Sequence, residues 1–152
     1  SYGHWIAQGS TTTWERWDGK DSHNHPMFGG GLVWFYRSLC GVNADEATPA
    51  YKHFTVSPLM PRGLDHASCS LDTPYGQLSS AWSRTATGYE LRVKVPVGCS
   101  ATVALPDVKA SSAVRESGVE ALKARGVAAD GASAAAGRYT LQSGEYRFEV
   151  TL

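Results

Sequence analysis

The segment TTTWERWDG, residues 11–19, sets one carboxylate, Glu15, between two tryptophans, Trp14 and Trp17. An acid walled by indoles suits chemistry on a sugar, because ring faces pack against C–H surfaces while the carboxylate moves a proton. Cleaving a glycosidic bond ordinarily takes two carboxylates that face each other across it. This motif holds one. A plainer alternative for Glu15 is an ion pair with a neighbouring Arg or Lys that serves local order. Ten residues on stands His25, preceded by Asn24. A neutral imidazole offers one donor and one acceptor, which suits a polyol. The alternative for His25 is a residue at a helix N-terminus that bonds only backbone. His23 and His25 are two apart with no third ligand, so no metal site is expected. One of Trp14 and Trp17 is expected to pack and the other to border a pocket. Trp5, Trp34 and Trp82 read as core, and Asp18 and Asp21 as turn residues.

The elements that position these residues fall in two regions, which meet near residue 45. In the first, the stretch NHPMFGGGLVWFYRSLCGV predicts one helix over 26–40. Pro26 suits a first helical turn, and Phe28, Leu32, Phe35 and Leu39 recur on one face. Gly41 supplies the stop. Gly29, Gly30 and Gly31 would each cost about 1 kcal/mol relative to Ala, a cost tolerated where something approaches the backbone closely. A helix this apolar needs neighbours on most sides, so packing on the rest of the chain or self-association is expected. From Tyr51 onward the period is two. About eight short segments, from YKHFTVSP to EYRFEVTL, are separated by turn signals, which predicts an antiparallel β-sandwich able to fold without the leader. The Ala-rich stretch 120–136 reads as a loop with one helical turn at most.

Composition narrows the function classes. The 152 residues carry 14 basic and 14 acidic side chains and no formal net charge, so no field draws in nucleic acid or an anionic membrane. No apolar run approaches the roughly 20 residues of a membrane span. The opening SYGHWIAQGS lacks the basic and apolar runs of a signal peptide. Cys40, Cys69 and Cys99 are too few and scattered for a disulfide framework and read as buried free thiols, with a Cys69–Cys99 bridge open if their strands face each other.

Four motifs in order, GSTTTWERWDG, SHNHPMFGGGLVWFYRSLCGV, YKHFTVSPLMP and TPYGQLSSAW, resemble the C-terminal end of the bacterial α-L-rhamnosidases, glycoside hydrolase family 78. The closing GRYTLQSGEYRFEVTL is similar to the family's last hairpin. The resemblance implies a fold that is mainly β: residues 1–45 are a short helical remnant of an (α/α)6 catalytic barrel, and 46–152 a C-terminal β-sandwich. It implies an inverting glycosidase that removes terminal α-L-rhamnose, with Glu15 as general base, and with His25, Trp14 and Trp17 at the sugar. The general acid would lie upstream, so the isolated 152 residues are expected to be inactive. The implied partners are a rhamnosylated glycoside and the remainder of the barrel, and no cofactor is implied. Two departures from the common pattern are a short Glu15–His25 loop and His23 where an aromatic such as Phe is frequent. A competing reading is a non-catalytic carbohydrate-binding or scaffolding sandwich, which would have no need of Glu15 in its WERW setting.

Overall fold

In the computed structural model, residues 1–131 and 137–152 are described, so the end of the Ala-rich stretch lies outside the described residues. The chain divides into two compact units, Ser1–Phe35 and Tyr36–Leu152.

The first unit opens with helix α1 (Tyr2–Ala7), whose N-cap Ser1 accepts from the His4 N–H. After a long loop come a 3₁₀ turn, Pro26–Gly30, and the single turn α2 (Gly31–Trp34). A π-helical turn, Phe35–Leu39, follows. The single regular helix expected over 26–40 is thus replaced by three short turns with different hydrogen-bond periods. The apolar spacing sets which side chains share a face, whereas Pro26 and three consecutive glycines leave the hydrogen-bond period weakly determined. Trp34, expected in the core, is 47% exposed.

The second unit is two sheets around one core. Among the described residues its strands are β1 (Val42–Ala44), β2 (His53–Val56), β3 (His66–Thr73), β4 (Gly76–Thr85), β5 (Gly88–Val95), β6 (Ser100–Ala104), β7 (Ala113–Glu116), β8 (Val119–Glu120), β9 (Val127–Ala129), β10 (Arg138–Leu141) and β11 (Gly144–Thr151). One sheet runs β1-β2-β6-β10-β9 and the other β3-β4-β5-β11-β7-β8. All eight segments expected to be strands are strands. In the described part of the loop expected over 120–136, the one helical turn allowed for is the 3₁₀ turn Ala121–Lys123, and the correction is strand β9. β9 exists because β10 offers it a ladder at Tyr139↔Ala129 and Leu141↔Val127, not because its own residues favour a strand.

Among the described residues pairing is antiparallel except between β2 and β6, which run parallel with His53 opposite Ser100 and Val56 opposite Val103. Register builds the core in rows. Trp82, Leu91 and Phe148 lie side by side on β4, β5 and β11, and Ser80, Val93 and Tyr146 form the next row. Phe54, Val56, Val103 and Leu141 face them from the other sheet, all fully buried. Alternate residues of β5 and β11 carry charge on the wet face, as Arg147 with Glu90 and Glu149 shows.

The strand entering this core is tied to it by side chains. Ser80 Oγ donates to the Cys40 carbonyl at 2.7 Å, and Trp82 Nε1 donates to the Leu39 carbonyl at 2.7 Å. Gly41 follows at φ +74°, where a Cβ would stand 2.1 Å from the Ser57 carbonyl carbon. Only glycine fits that approach, which lets the Ser57 N–H reach the Gly41 carbonyl at 2.9 Å.

Candidate active site

In the first unit, an aromatic cluster supports the loop that carries the acid. Trp5, 2% exposed, stacks on Trp17 with ring centroids 4.3 Å apart and meets Phe28 edge-on at 5.4 Å. The Tyr2 hydroxyl donates to the Phe28 carbonyl, joining α1 to the turn at Pro26–Gly30. Trp14 is buried and stacks against His23, ring centroids 4.2 Å apart and planes 11° from parallel. His23 Nε2 also lies 2.7 Å from the Gly19 carbonyl. Gly19 itself, at φ +75°, packs so closely on Trp14 that a Cβ would fall 2.9 Å from Cζ3.

The loop between Trp14 and His25 is pinned at its base in pairs. The His25 N–H donates to the Thr13 carbonyl at 2.8 Å, and the Glu15 N–H donates to the Ser22 carbonyl at 2.8 Å. The Thr12 and Thr13 hydroxyls donate to the carbonyls of His23 and His25. At its tip, Asp18 behaves as the turn residue expected, accepting from the Lys20 N–H at 3.2 Å. That bond, with Arg16 and Lys20 nearby, holds the Asp18 carboxyl below the usual carboxylate range.

Glu15 comes out of this loop with its side chain 42% exposed. The Ser22 N–H donates to Glu15 Oε2 at 3.3 Å, and His25 Nδ1 lies 3.7 Å from the same oxygen. Arg16, its neighbour in sequence, turns to Asp18 at 3.4 Å and Asp21 at 3.5 Å. Glu15, Arg16, Trp17 and Asp18 line a shallow, open cleft of about 360 Å³. Trp17 is 40% exposed and Trp14 9%. The structure therefore brings His25 to Glu15 and sets Trp17 with Glu15 along the cleft, while Trp14 is buried against His23. A carboxylate set this way can take a proton from a water or hydroxyl that enters from solvent. Among the described residues no group of three or more His, Cys, Asp or Glu is placed to hold a metal ion, and no helix is long and apolar enough to cross a membrane.

Four contributions here are absent from the sequence reading: the Ser22 main-chain N–H, the stack of the His23 ring on Trp14, and the hydroxyls of Thr12 and Thr13. A planar His at a place where a related aromatic is frequent was the available signal for the stack on Trp14. Main-chain donors leave no such signal.

Comparison with known proteins gives this geometry a context. Residues 41–120, more than half of the chain, match the family model of the bacterial alpha-L-rhamnosidase C-terminal domain, and residues 1–39 match that of the bacterial alpha-L-rhamnosidase 6 hairpin glycosidase domain. An alpha-L-rhamnosidase of Alteromonas sp. (strain LOR) is 34% identical over 112 residues, covering 66% of this chain and 12% of the relative. The solved alpha-L-rhamnosidase from Dictyoglumus thermophilum superposes with a TM-score of 0.83 at 30% identity, covering 100% of this chain and 17% of its own. The Streptomyces avermitilis alpha-L-rhamnosidase, solved in complex with L-rhamnose, gives a TM-score of 0.78 at 26% identity and covers 97% of this chain and 14% of its own. The chain thus spans about an eighth of the length of the curated relative it matches. With both family models meeting at residues 39–41 and the same fold in the solved relatives, the chain belongs to the bacterial α-L-rhamnosidase family.

Proposed function

We propose that this chain is the C-terminal part of an inverting α-L-rhamnosidase and that Glu15 is its general base. In this reading residues 1–39 continue the catalytic barrel, β1 belongs to the sandwich although it lies within the 1–45 expected for the barrel, and the general acid stands on the remainder of the barrel. The observation that carries the reading is Glu15 itself: a half-exposed carboxylate on an open cleft, held by a main-chain N–H and with His25 beside it, inside a segment that matches the family's glycosidase domain. Inversion needs a carboxylate that takes a proton from water on the face of the sugar opposite the leaving oxygen, with the two acids about 6.5–9.5 Å apart. The Ser22 N–H and the His25 ring both approach Oε2 of Glu15, and in this reading Oε1 accepts that proton. His25 and Trp17 border the sugar, His25 through hydrogen bonds to hydroxyls and Trp17 through its ring face.

The test is Glu15→Gln in the full-length enzyme on an aryl α-L-rhamnoside. The amide keeps the shape and removes the base, so kcat is expected to fall by at least about 10²-fold with KM little changed. Near-normal kcat would make Glu15 a structural carboxylate. The remainder of the barrel is the proposed cover for the exposed Leu32, Val33, Trp34 and Phe35. Without it, the isolated chain is expected to self-associate through this segment, since an exposed apolar surface of several hundred Å² is rare on a monomer. Sedimentation showing only monomer at high micromolar concentration would count against that cover.

A further inference from the structure

Three thiols occupy the second unit, and the proposed chemistry uses none of them: Cys40 and Cys99 are buried and Cys69 is half-buried. Their placement is uneven. Cys69 stands on β3 directly opposite Ser80 on β4, so the two side chains share the inner face of that sheet. Ser80 Oγ in turn reaches across to the Cys40 carbonyl at 2.7 Å. Ser80 is therefore a common neighbour of both cysteines: Cys69 lies across the ladder from it and the Cys40 carbonyl accepts from its hydroxyl. Cys99 sits apart, at the start of the β6 segment, with its N–H bonded to the Pro96 carbonyl. The Cys69–Cys99 bridge left open by the sequence is thus not the pairing that the fold prepares.

We propose that Cys40 and Cys69 form a thiol-modification site, oxidised to an intramolecular disulfide by a small disulfide oxidant of the oxidised-glutathione class. Cys69 is the half-buried member, so its thiolate attacks one sulfur of the oxidant, breaking the oxidant's S–S bond and expelling one thiolate. Cys40 then attacks the Cys69 sulfur of the mixed disulfide and expels the second thiolate. Two protein thiols lose two electrons and two protons; the oxidant gains both and leaves as two thiols. The neighbouring Cys40 shifts the Cys69 thiol pKa downward, which suits Cys69 as the first nucleophile. The Cys40 thiol is shifted upward by Cys69 and by burial, so Cys40 gives up its proton to the departing thiolate only as it attacks in the second step.

The bond would fasten the residue between the two family matches to the outermost strand of the six-stranded sheet. It would add a covalent clamp where Ser80 and Trp82 already hold the entering backbone. Because it closes a loop of about 30 residues, oxidation is expected to raise Tm by roughly 5–15 °C.

The experiment exposes the folded chain to oxidised glutathione, blocks remaining thiols with an alkylating agent and maps the peptides by mass spectrometry. The expected product links Cys40 to Cys69 with Cys99 alkylated, melts higher than the reduced chain and reverts with dithiothreitol. Cys99→Ser should give the same link and the same rise. Three alkylatable thiols after exposure, a persistent glutathione adduct on Cys69, a link to Cys99, or an unchanged or lowered Tm would each overturn the proposal. Its outcome does not depend on Glu15 being the base, since no turnover is measured.

Discussion

The leading unit and the sandwich are held together by different means. In Ser1–Phe35, order comes from a few stacked rings and from paired hydrogen bonds at the base of one loop, and large apolar side chains such as Leu32 stay exposed. In Tyr36–Leu152, two sheets share a continuous core in which Phe54, Leu78, Leu91, Leu141 and Phe148 are fully buried. The region with the candidate chemistry has the weaker hold on its own shape. Stability and reactivity are divided between neighbours in the chain, so damage to each should show in a different measurement.

The largest separation is expected in turnover. The isolated chain should not hydrolyse an aryl α-L-rhamnoside, because a positioned acid worth about 10²–10⁴-fold is missing together with most of the substrate's orientation. In the full-length enzyme, His25→Ala should raise KM as well as lower kcat, unlike Glu15→Gln, because lost sugar contacts weaken the ground state too. Identical kinetic signatures for the two variants would erase the distinction between base and binding residue.

Next in size is the core. Phe148→Ala should cost about 3–5 kcal/mol in denaturant unfolding, whereas Trp17→Ala should move the main transition by less than about 1 kcal/mol. Equal losses would mean that the two units melt as one.

Truncation gives a smaller and sharper contrast. A chain starting at Tyr36 should retain cooperative melting, since its ladders and core are internal. One starting at Ala50 drops β1 and the bonds from Ser80 and Trp82, and should melt lower but still cooperatively. Loss of dispersed amide signals in the longer chain would refute an independent sandwich.

What the sequence revealed follows the same division. Strands with strict alternation, such as β5 with Tyr89, Leu91, Val93 and Val95 inward, were legible because one buried face leaves a period of two. Strands β1, β8 and β9 were not, being two or three residues long and defined by their partners. Nor did any pattern reveal that β2 and β6 run parallel, since alternation is blind to strand direction. In the leader, the WERW context singled out Glu15, while its support from Ser22 is a main-chain contact that any residue type could make.

That parallel pair also constrains how the chain can be made. His53 on β2 bonds through its ring to Ser100 on β6, 47 positions later. During synthesis β2 leaves the ribosome long before its central partner exists; β1 can pair one of its edges, while the edge that β6 will take stays open. The meander β3-β4-β5 needs only near neighbours and can close first. The two strands that connect the upstream chain to the sandwich are therefore stitched in late, after the sheet on the far side of the core has begun to assemble.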